Sequence, residues 1–215
     1  MLDWRRYDTV LLDMDGTVLD LAFDHYFWRE LVPRCLARSR QLDHEQVKIR
    51  LFEQYAGKRG SLEWYCLDYW TAELGLDLRK LKNASSQRVR FLPGAREFLV
   101  ALAGRGKRVI LVTNAHAHTL RVKKGVAGLT QYFDAFISSH EFGFAKEQVE
   151  FWPLLQSRLA FDPATTVFVD DSLPVLDAAA AFGIRDIFAI TRPDSRLPAG
   201  RSGAHHGIDG VVELI

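Results

Sequence analysis

Two patterns of apolar spacing divide this chain. From Pro93-Gly94 onward, short unbroken apolar runs alternate with stretches of helical spacing. Helices are predicted over 94–104, 117–127, 147–159 and 173–182, and strands over 108–112, 135–138, 166–169 and 186–190. This alternation marks right-handed βαβ units on a parallel sheet. The run Val10-Leu11-Leu12 near the start is the kind expected of one more strand covered on both faces. Residues 20–90 read differently: strand runs are absent, aromatics are crowded, and helices are predicted near 22–39, 43–56, 61–75 and 77–90. Breaks fall at Gly57-Lys58-Arg59-Gly60 and near Gly75. The pattern predicts an α/β protein built on a parallel sheet, with a helical segment inserted after the first strand. The stretch 192–209, rich in Gly, Pro, Ser and Arg, reads as a surface loop before a short closing segment, 211–215.

Composition narrows the function classes. With 215 residues, 48% of them hydrophobic, the chain can bury one α/β core together with a smaller inserted domain. Its 28 basic and 27 acidic residues leave a formal charge of +1, which provides no electrostatic footprint for nucleic acid or for an anionic membrane. Any anionic ligand must be held by local groups. Cys35 and Cys66 are too few for a disulfide framework and too far apart for a zinc or redox motif, so inert core thiols in a reducing compartment are expected. No apolar leader precedes the first strand, and no run approaches the roughly 18 apolar residues of a membrane span. A cytoplasmic protein, monomeric or dimeric, is the expectation.

The candidate chemistry sits at the ends of four predicted strands, the edge at which open α/β sheets bind ligands. Val10-Leu11-Leu12 runs into Asp13-Met14-Asp15-Gly16-Thr17, two carboxylates followed by a glycine that permits a sharp turn. Val109 to Val112 runs into Thr113-Asn114, a hydroxyl and an amide just ahead of a helix whose free N–H groups favour an anion. Lys146 is predicted to open the helix after the third strand, as a point charge suited to phosphate. Val167-Phe168-Val169 runs into Asp170-Asp171-Ser172. Read singly, Asp-Gly is a common turn, Asp-Asp-Ser a common helix cap, and Lys146 one of 28 cations. Their order along the chain is what points to a phosphate site.

These four segments together resemble the motifs of the haloacid dehalogenase-like superfamily, and the resemblance covers the whole chain. It implies a Rossmann-like core of residues 1–19 and 91–215 and a helical cap domain of residues 20–90. Asp20 to Asp24, Tyr26-Phe27-Trp28, Trp64 to Trp70 and Thr113 to His116 resemble, more narrowly, its bacterial nucleotidases acting on GMP and IMP. The resemblance implies Mg²⁺ as cofactor, held by the side chains of Asp13 and Asp171 and the main-chain carbonyl of Asp15, with Asp170 an indirect partner. Asp13 would be the nucleophile, Asp15 the general acid and base, and Thr113, Asn114 and Lys146 the phosphate-binding groups. Charge agrees: one lysine cannot balance four aspartates and a phosphate, whereas a hard divalent ion can. An acid two residues after the nucleophile speaks against the dehalogenase branch, because carbon–halogen cleavage needs no protonated leaving oxygen. The family lysine is commonly followed by proline, whereas here Glu147 follows Lys146, so the local helix start is expected to differ.

The crowded aromatics could stack on a purine, but a bundle of short helices needs most of them as core. Trp64, Tyr65 and Tyr69 can supply at most one or two ligand contacts. Asp20, Asp24 and His25 lie at the hinge of the insertion; His116 and His118 flank the helix after Thr113-Asn114; His205-His206 lacks a third ligand for a metal. The expected function is hydrolysis of a purine mononucleotide. The alternatives are another small phosphate ester, such as a sugar phosphate, handled by a phosphatase or mutase, or an inactive relative that binds a partner through its helical segment.

Overall fold

The computed structural model describes residues 2–215, the side chain of Val126 excepted. Six parallel strands form one sheet: β1 (Thr9–Leu12), β2 (Arg108–Thr113), β3 (Ala135–Ser138), β4 (Thr166–Asp170), β5 (Asp186–Ile190) and β6 (His206–Ile208), in the order β3-β2-β1-β4-β5-β6. The pleat explains why β1 is apolar throughout. Val10 and Leu12 face one layer with Phe98 and Leu99, while Leu11 faces the other with Trp152 and Leu176. Leu11 lies opposite Ile110 of β2 on one side and Phe168 of β4 on the other. Strand order reverses at β1, so the carboxyl ends of β1, β2 and β4 open on one crevice.

Strand β6 lies inside the stretch expected to be a surface loop. It has three residues, of which only Ile208 is buried, and pairs with β5 through Phe188 to Ile190. A strand so short, exposed on two of three positions, carries no periodic signal.

The helical insertion comprises α1 (Ala22–Tyr26), a π-helical turn at Phe27–Leu31, α2 (Val32–Arg40), α3 (His44–Ala56), α4 (Leu62–Tyr65), α5 (Leu67–Leu74) and α6 (Leu78–Ser85). The π turn is closed by the Val32 N–H donating to the Phe27 carbonyl five residues back, just ahead of Pro33, which has no N–H to give. The helix predicted over 61–75 is two helices, because Cys66 is extended and its Sγ accepts the Tyr69 N–H at the start of α5. Helix α6 stops short of the predicted end at 90. These helices enclose a core of their own around Phe27, Leu36, Val47, Leu51, Tyr55 and Trp70. Cys35 and Cys66 are half-buried at its edge rather than within it. The outgoing and returning chains run side by side, bridged between Leu19 and Phe91, with the Asp20 N–H donating to the Arg90 carbonyl.

Helices α7 (Ala95–Gly104), α8 (Ala117–Ala127), α9 (Phe151–Leu159) and α10 (Leu173–Phe182) accompany the sheet. Helix α9 begins at Phe151, so Lys146 does not open it. Lys146 sits instead in a preceding turn: its N–H donates to Asn114 Oδ1 (2.9 Å), and its carbonyl accepts from Trp152 Nε1 (2.9 Å). No helix among the described residues is long and apolar enough to cross a membrane.

Candidate active site

Strand β1 delivers Asp13 into the crevice, its N–H still bonded to the Val169 carbonyl of β4. The chain then doubles back: the N–H groups of Val18 and Leu19 both donate to the Met14 carbonyl. Gly16 makes this turn possible. Its φ is +89°, and a Cβ there would lie 2.6 Å from Asp171 Oδ2 and 2.9 Å from Pro193 Cβ. The two motif segments therefore touch through a residue that has no side chain.

Lys146 is buried and uses all three of its N–H donors: Asp13 Oδ1 at 2.5 Å, Asp170 Oδ2 at 2.7 Å and the Val112 carbonyl at 2.9 Å. Burial disfavours its charge, but Asp13 and then Asp170 outweigh that, and its pKa lies above the ordinary lysine value. Burial lifts Asp13 to about 7 against the pull of Lys146. Asp171 is pushed well above the carboxylate range by burial and then by its neighbours Asp170 and Asp13. One carboxylate oxygen from each of Asp13, Asp170 and Asp171 lies within 4.8 Å of the others. Three crowded carboxylates sharing one ammonium form a donor set that suits a hard, oxygen-loving divalent cation such as Mg²⁺.

Asp15 has a separate partner that sequence reasoning missed. Lys123 Nζ lies 2.6 Å from Asp15 Oδ1 and also bonds Asp24 Oδ2, while Lys82 Nζ lies 2.8 Å from Asp24 Oδ1. The ammonium of Lys82 sits over the rings of Phe23 and Phe27, at 4.7 and 4.2 Å. A buried chain of alternating charge, Asp15–Lys123–Asp24–Lys82, thus links the core to the helical insertion. Burial raises Asp15 to about 6, opposed chiefly by Lys123. Burial would also raise Asp24, but Lys123 and Lys82 win and hold it well below the usual carboxylate range. The signal for Lys123 in the sequence was faint: it lies one helical turn after Thr119 on the buried face of α8, beside an ordinary-looking Lys124. Lys146 is therefore not the sole cation at the aspartates.

The remaining predicted groups fall in different places. Thr113 lines the crevice and its hydroxyl accepts the Ala115 N–H. Asn114 gives both ends of its amide to protein partners, Oδ1 to the Lys146 N–H and Nδ2 to Glu147 Oε2, which also takes the Tyr65 hydroxyl on its other oxygen. His116 caps α8 and stands 3.6 Å from Asp68, and His118 meets Asn83; neither lines the crevice. Asp20 accepts from the Ser195 hydroxyl. His205 pairs with Asp177.

Asp13, Asp15, Thr113, Asn114, Lys146 and Asp171 all line one cavity of about 470 Å³. Its far wall comes from the insertion and is aromatic, with Trp28, Tyr55, Trp64 and Trp70 facing the acidic wall of the sheet. Such an enclosure, apolar at one end and charged at the other, suits a small ligand with an anionic head.

A family model described as a haloacid dehalogenase-like hydrolase matches residues 7–183. The chain is 40% identical over 212 residues to the GMP/IMP nucleotidase YrfG of Escherichia coli K12, covering 99% of this chain and 96% of that one. It is 30% identical over 188 residues to a phosphoglycolate phosphatase of Nitrosospira multiformis, covering 81% and 79%. Among solved structures, a HAD phosphatase from Thermococcus onnurineus superimposes with a TM-score of 0.82 at 23% identity, over 96% of this chain and 95% of that one.

Proposed function

Because the chain belongs to the haloacid dehalogenase-like hydrolases, we propose that it is a Mg²⁺-dependent phosphomonoesterase that hydrolyses the purine 5′-mononucleotides GMP and IMP through an aspartyl-phosphate on Asp13. One observation carries the chemistry: two carboxylates two residues apart face the same cavity from different environments. Asp13 is clamped by Lys146 beside two further aspartates, and Asp15 stands apart on Lys123 with a pKa near 6. Paired groups pushed into different roles by their surroundings are the usual arrangement of a nucleophile and an acid–base partner. The substrate rests on the 40% identity to a GMP/IMP nucleotidase.

In this reading residues 20–90 are a cap domain over a core of 1–19 and 91–215. An Asp13 oxygen attacks phosphorus, the ester P–O bond breaks, and the proton on Asp15 goes to the departing ribose oxygen. Asp15, now ionised, takes a proton from the water that attacks the acyl phosphate, and inorganic phosphate leaves with Asp13 restored. Lys146 holds Asp13 in line and neutralises phosphate charge, the Thr113 hydroxyl and the N–H groups opening α8 bind phosphate oxygens, and Asn114 fixes the turn that carries Lys146. Asp13, Asp171 and the Asp15 carbonyl would hold Mg²⁺, and Asp170 would act through Lys146 or water. When bound, the ion supplies the positive charge that one ammonium cannot give to three aspartates and a phosphate.

Phosphate release with Mg²⁺ from GMP, IMP, AMP, a pyrimidine nucleotide and several sugar phosphates, with Asp13→Asn as the blank, tests the proposal. GMP and IMP leading, with an inactive variant, is the expected result. Sugar phosphates or phosphoglycolate leading would keep the chemistry and replace the substrate, a reading the 30% identity to a phosphoglycolate phosphatase favours. No turnover by folded, metal-loaded protein would overturn the enzyme reading in favour of a binding protein.

A further inference from the structure

Resting on the nucleotide reading above, we infer that Arg59 in the helical insertion reads the six-position of the purine, selecting 6-oxopurine nucleotides over adenine nucleotides. Tyr55 is the hub of the aromatic wall. Its ring meets Trp28, Trp64 and Trp70 edge to face, at centroid distances of 5.8, 5.8 and 4.9 Å. It is only 6% exposed, yet its hydroxyl has no hydrogen-bond partner among the described residues. A buried hydroxyl left unpaired costs free energy, so the position of this ring is set by its aromatic neighbours. Four residues on, Arg59 lines the same cavity with its guanidinium 6.0 Å over the Trp64 ring. It makes no ion pair among the described residues, although the chain is rich in carboxylates.

The polarity of this end of the cavity is one-sided. Every carboxylate lining the cavity is either one of the four motif aspartates at the sheet edge or Asp24, which is held by Lys82 and Lys123. The cationic side chains that line the cavity outside the two lysine clusters are Arg59 and Arg29, with His25 held by Asp194 through its Nδ1. A 6-oxopurine offers two acceptors side by side, O6 and N7, which suit the fork of a guanidinium. Adenine offers N7 but replaces the oxygen with an amino donor. An adenine amine would meet Arg59 donor to donor. Guanine and hypoxanthine share O6 and N7, so Arg59 should favour both. Of the two arginines, Arg59 is the one stacked against a wall residue, on the same turn of chain as the orphan hydroxyl, and the assignment goes to it.

The experiment compares kcat/KM for GMP, IMP, AMP and ribose 5-phosphate in the wild type, Arg59→Met and Tyr55→Phe. Ribose 5-phosphate keeps the reacting end and lacks the base. Arg59 is exposed and outside the reacting groups, so its variant should fold. The expected result is that R59M lowers GMP and IMP by about 10- to 100-fold, leaves AMP and ribose 5-phosphate within about twofold, and so collapses the GMP-to-AMP ratio. Y55F keeps the ring of the aromatic wall and should leave the GMP-to-AMP ratio within about twofold while raising the melting temperature of the free protein, because the orphan hydroxyl is gone. A GMP-selective wild type whose GMP-to-AMP ratio is unchanged in R59M, or whose four substrates fall together, overturns this inference alone. A wild type that takes ribose 5-phosphate as well as GMP overturns the nucleotide reading, and this one with it.

Discussion

Lys123 Nζ stands 2.6 Å from Asp15 Oδ1, and the same ammonium bonds Asp24 on the first helix of the insertion. The acid–base candidate of the core is therefore tied to the segment that would cover the substrate. Lys123→Met leaves Asp15 without a cation and Asp24 with only Lys82. Breaking a buried pair from one side typically costs about 3–5 kcal/mol, so the midpoint of urea unfolding should fall sharply. Lys123 is also the largest influence holding Asp15 down, so its removal raises that pKa further. If Asp15 is the proton donor proposed above, the basic limb of the kcat/KM profile at saturating Mg²⁺ should move to higher pH. A limb that stays in place would show that Lys123 does not tune Asp15. Asp15→Asn, which removes the proposed proton donor, should cost about 10²- to 10⁴-fold in kcat.

Protons and metal should compete for the same carboxylates. Asp13 at about 7 and Asp15 at about 6 both lie above the 3.8 of an unfolded chain, and Asp171 lies well above it too. The folded protein therefore binds these protons more tightly than the unfolded one, and stability falls as pH rises from about 4 through about 7. Asp24 and Asp194 are held low, so their contribution is already complete above about 4 and does not reverse the trend. Burial lowers the pKa values of His116, His118 and His140, which opposes the fall below about 6.5, so melting temperatures in EDTA should drop most clearly between about pH 6.5 and 8. With Mg²⁺ the drop should shrink or invert, because the ion binds the ionised carboxylates. Parallel curves with and without Mg²⁺ would rule the acidic cluster out as its site.

Lys146→Met removes three donors from a buried point and leaves Asp13 and Asp170 facing each other. The expected loss is again about 3–5 kcal/mol, with phosphate release abolished. Lys146→Arg should not rescue activity, since contacts of 2.5 to 2.9 Å on all three sides leave no room for a planar guanidinium. Urea unfolding and phosphate release on both variants check this.

Gly16→Ala tests the contact between the first and last motifs. The new Cβ would fall 2.6 Å from Asp171 Oδ2, at a φ of +89° that L side chains rarely adopt. Asp171 must move, and the Mg²⁺ concentration for half-maximal activity should rise by about 10- to 100-fold, as it does when groups behind a metal ligand are disturbed. An unchanged Mg²⁺ requirement would remove Asp171 from the metal site.

Much of this architecture could be read along the chain because it is locally encoded. Val10-Leu11-Leu12 is apolar at every position because β1 is covered on both faces, and the runs behind β2, β4 and β5 announce themselves in the same way. Local pattern is overridden where a long-range interaction competes with it. Lys146 was expected to open a helix, but its N–H is taken by Asn114, more than thirty residues earlier, and the helix waits until Phe151. Strand β6 exists only because β5 offers an unpaired edge to three residues with little pattern of their own.

The sequence by itself determined strands β1 to β5, the helical insertion and the order of Asp13, Asp15, Thr113, Lys146 and Asp171 along the chain, because periodicity and turn chemistry act over a few residues. Only the tertiary structure decided which charges meet. Lys123 and Lys82, unremarkable among 28 cations, became the partners of Asp15 and Asp24, and Tyr55 was left with a buried hydroxyl that has no hydrogen-bond partner among the described residues. Pairing of buried charges and satisfaction of buried polar atoms depend on distances between segments a hundred residues apart. No local pattern carries that information.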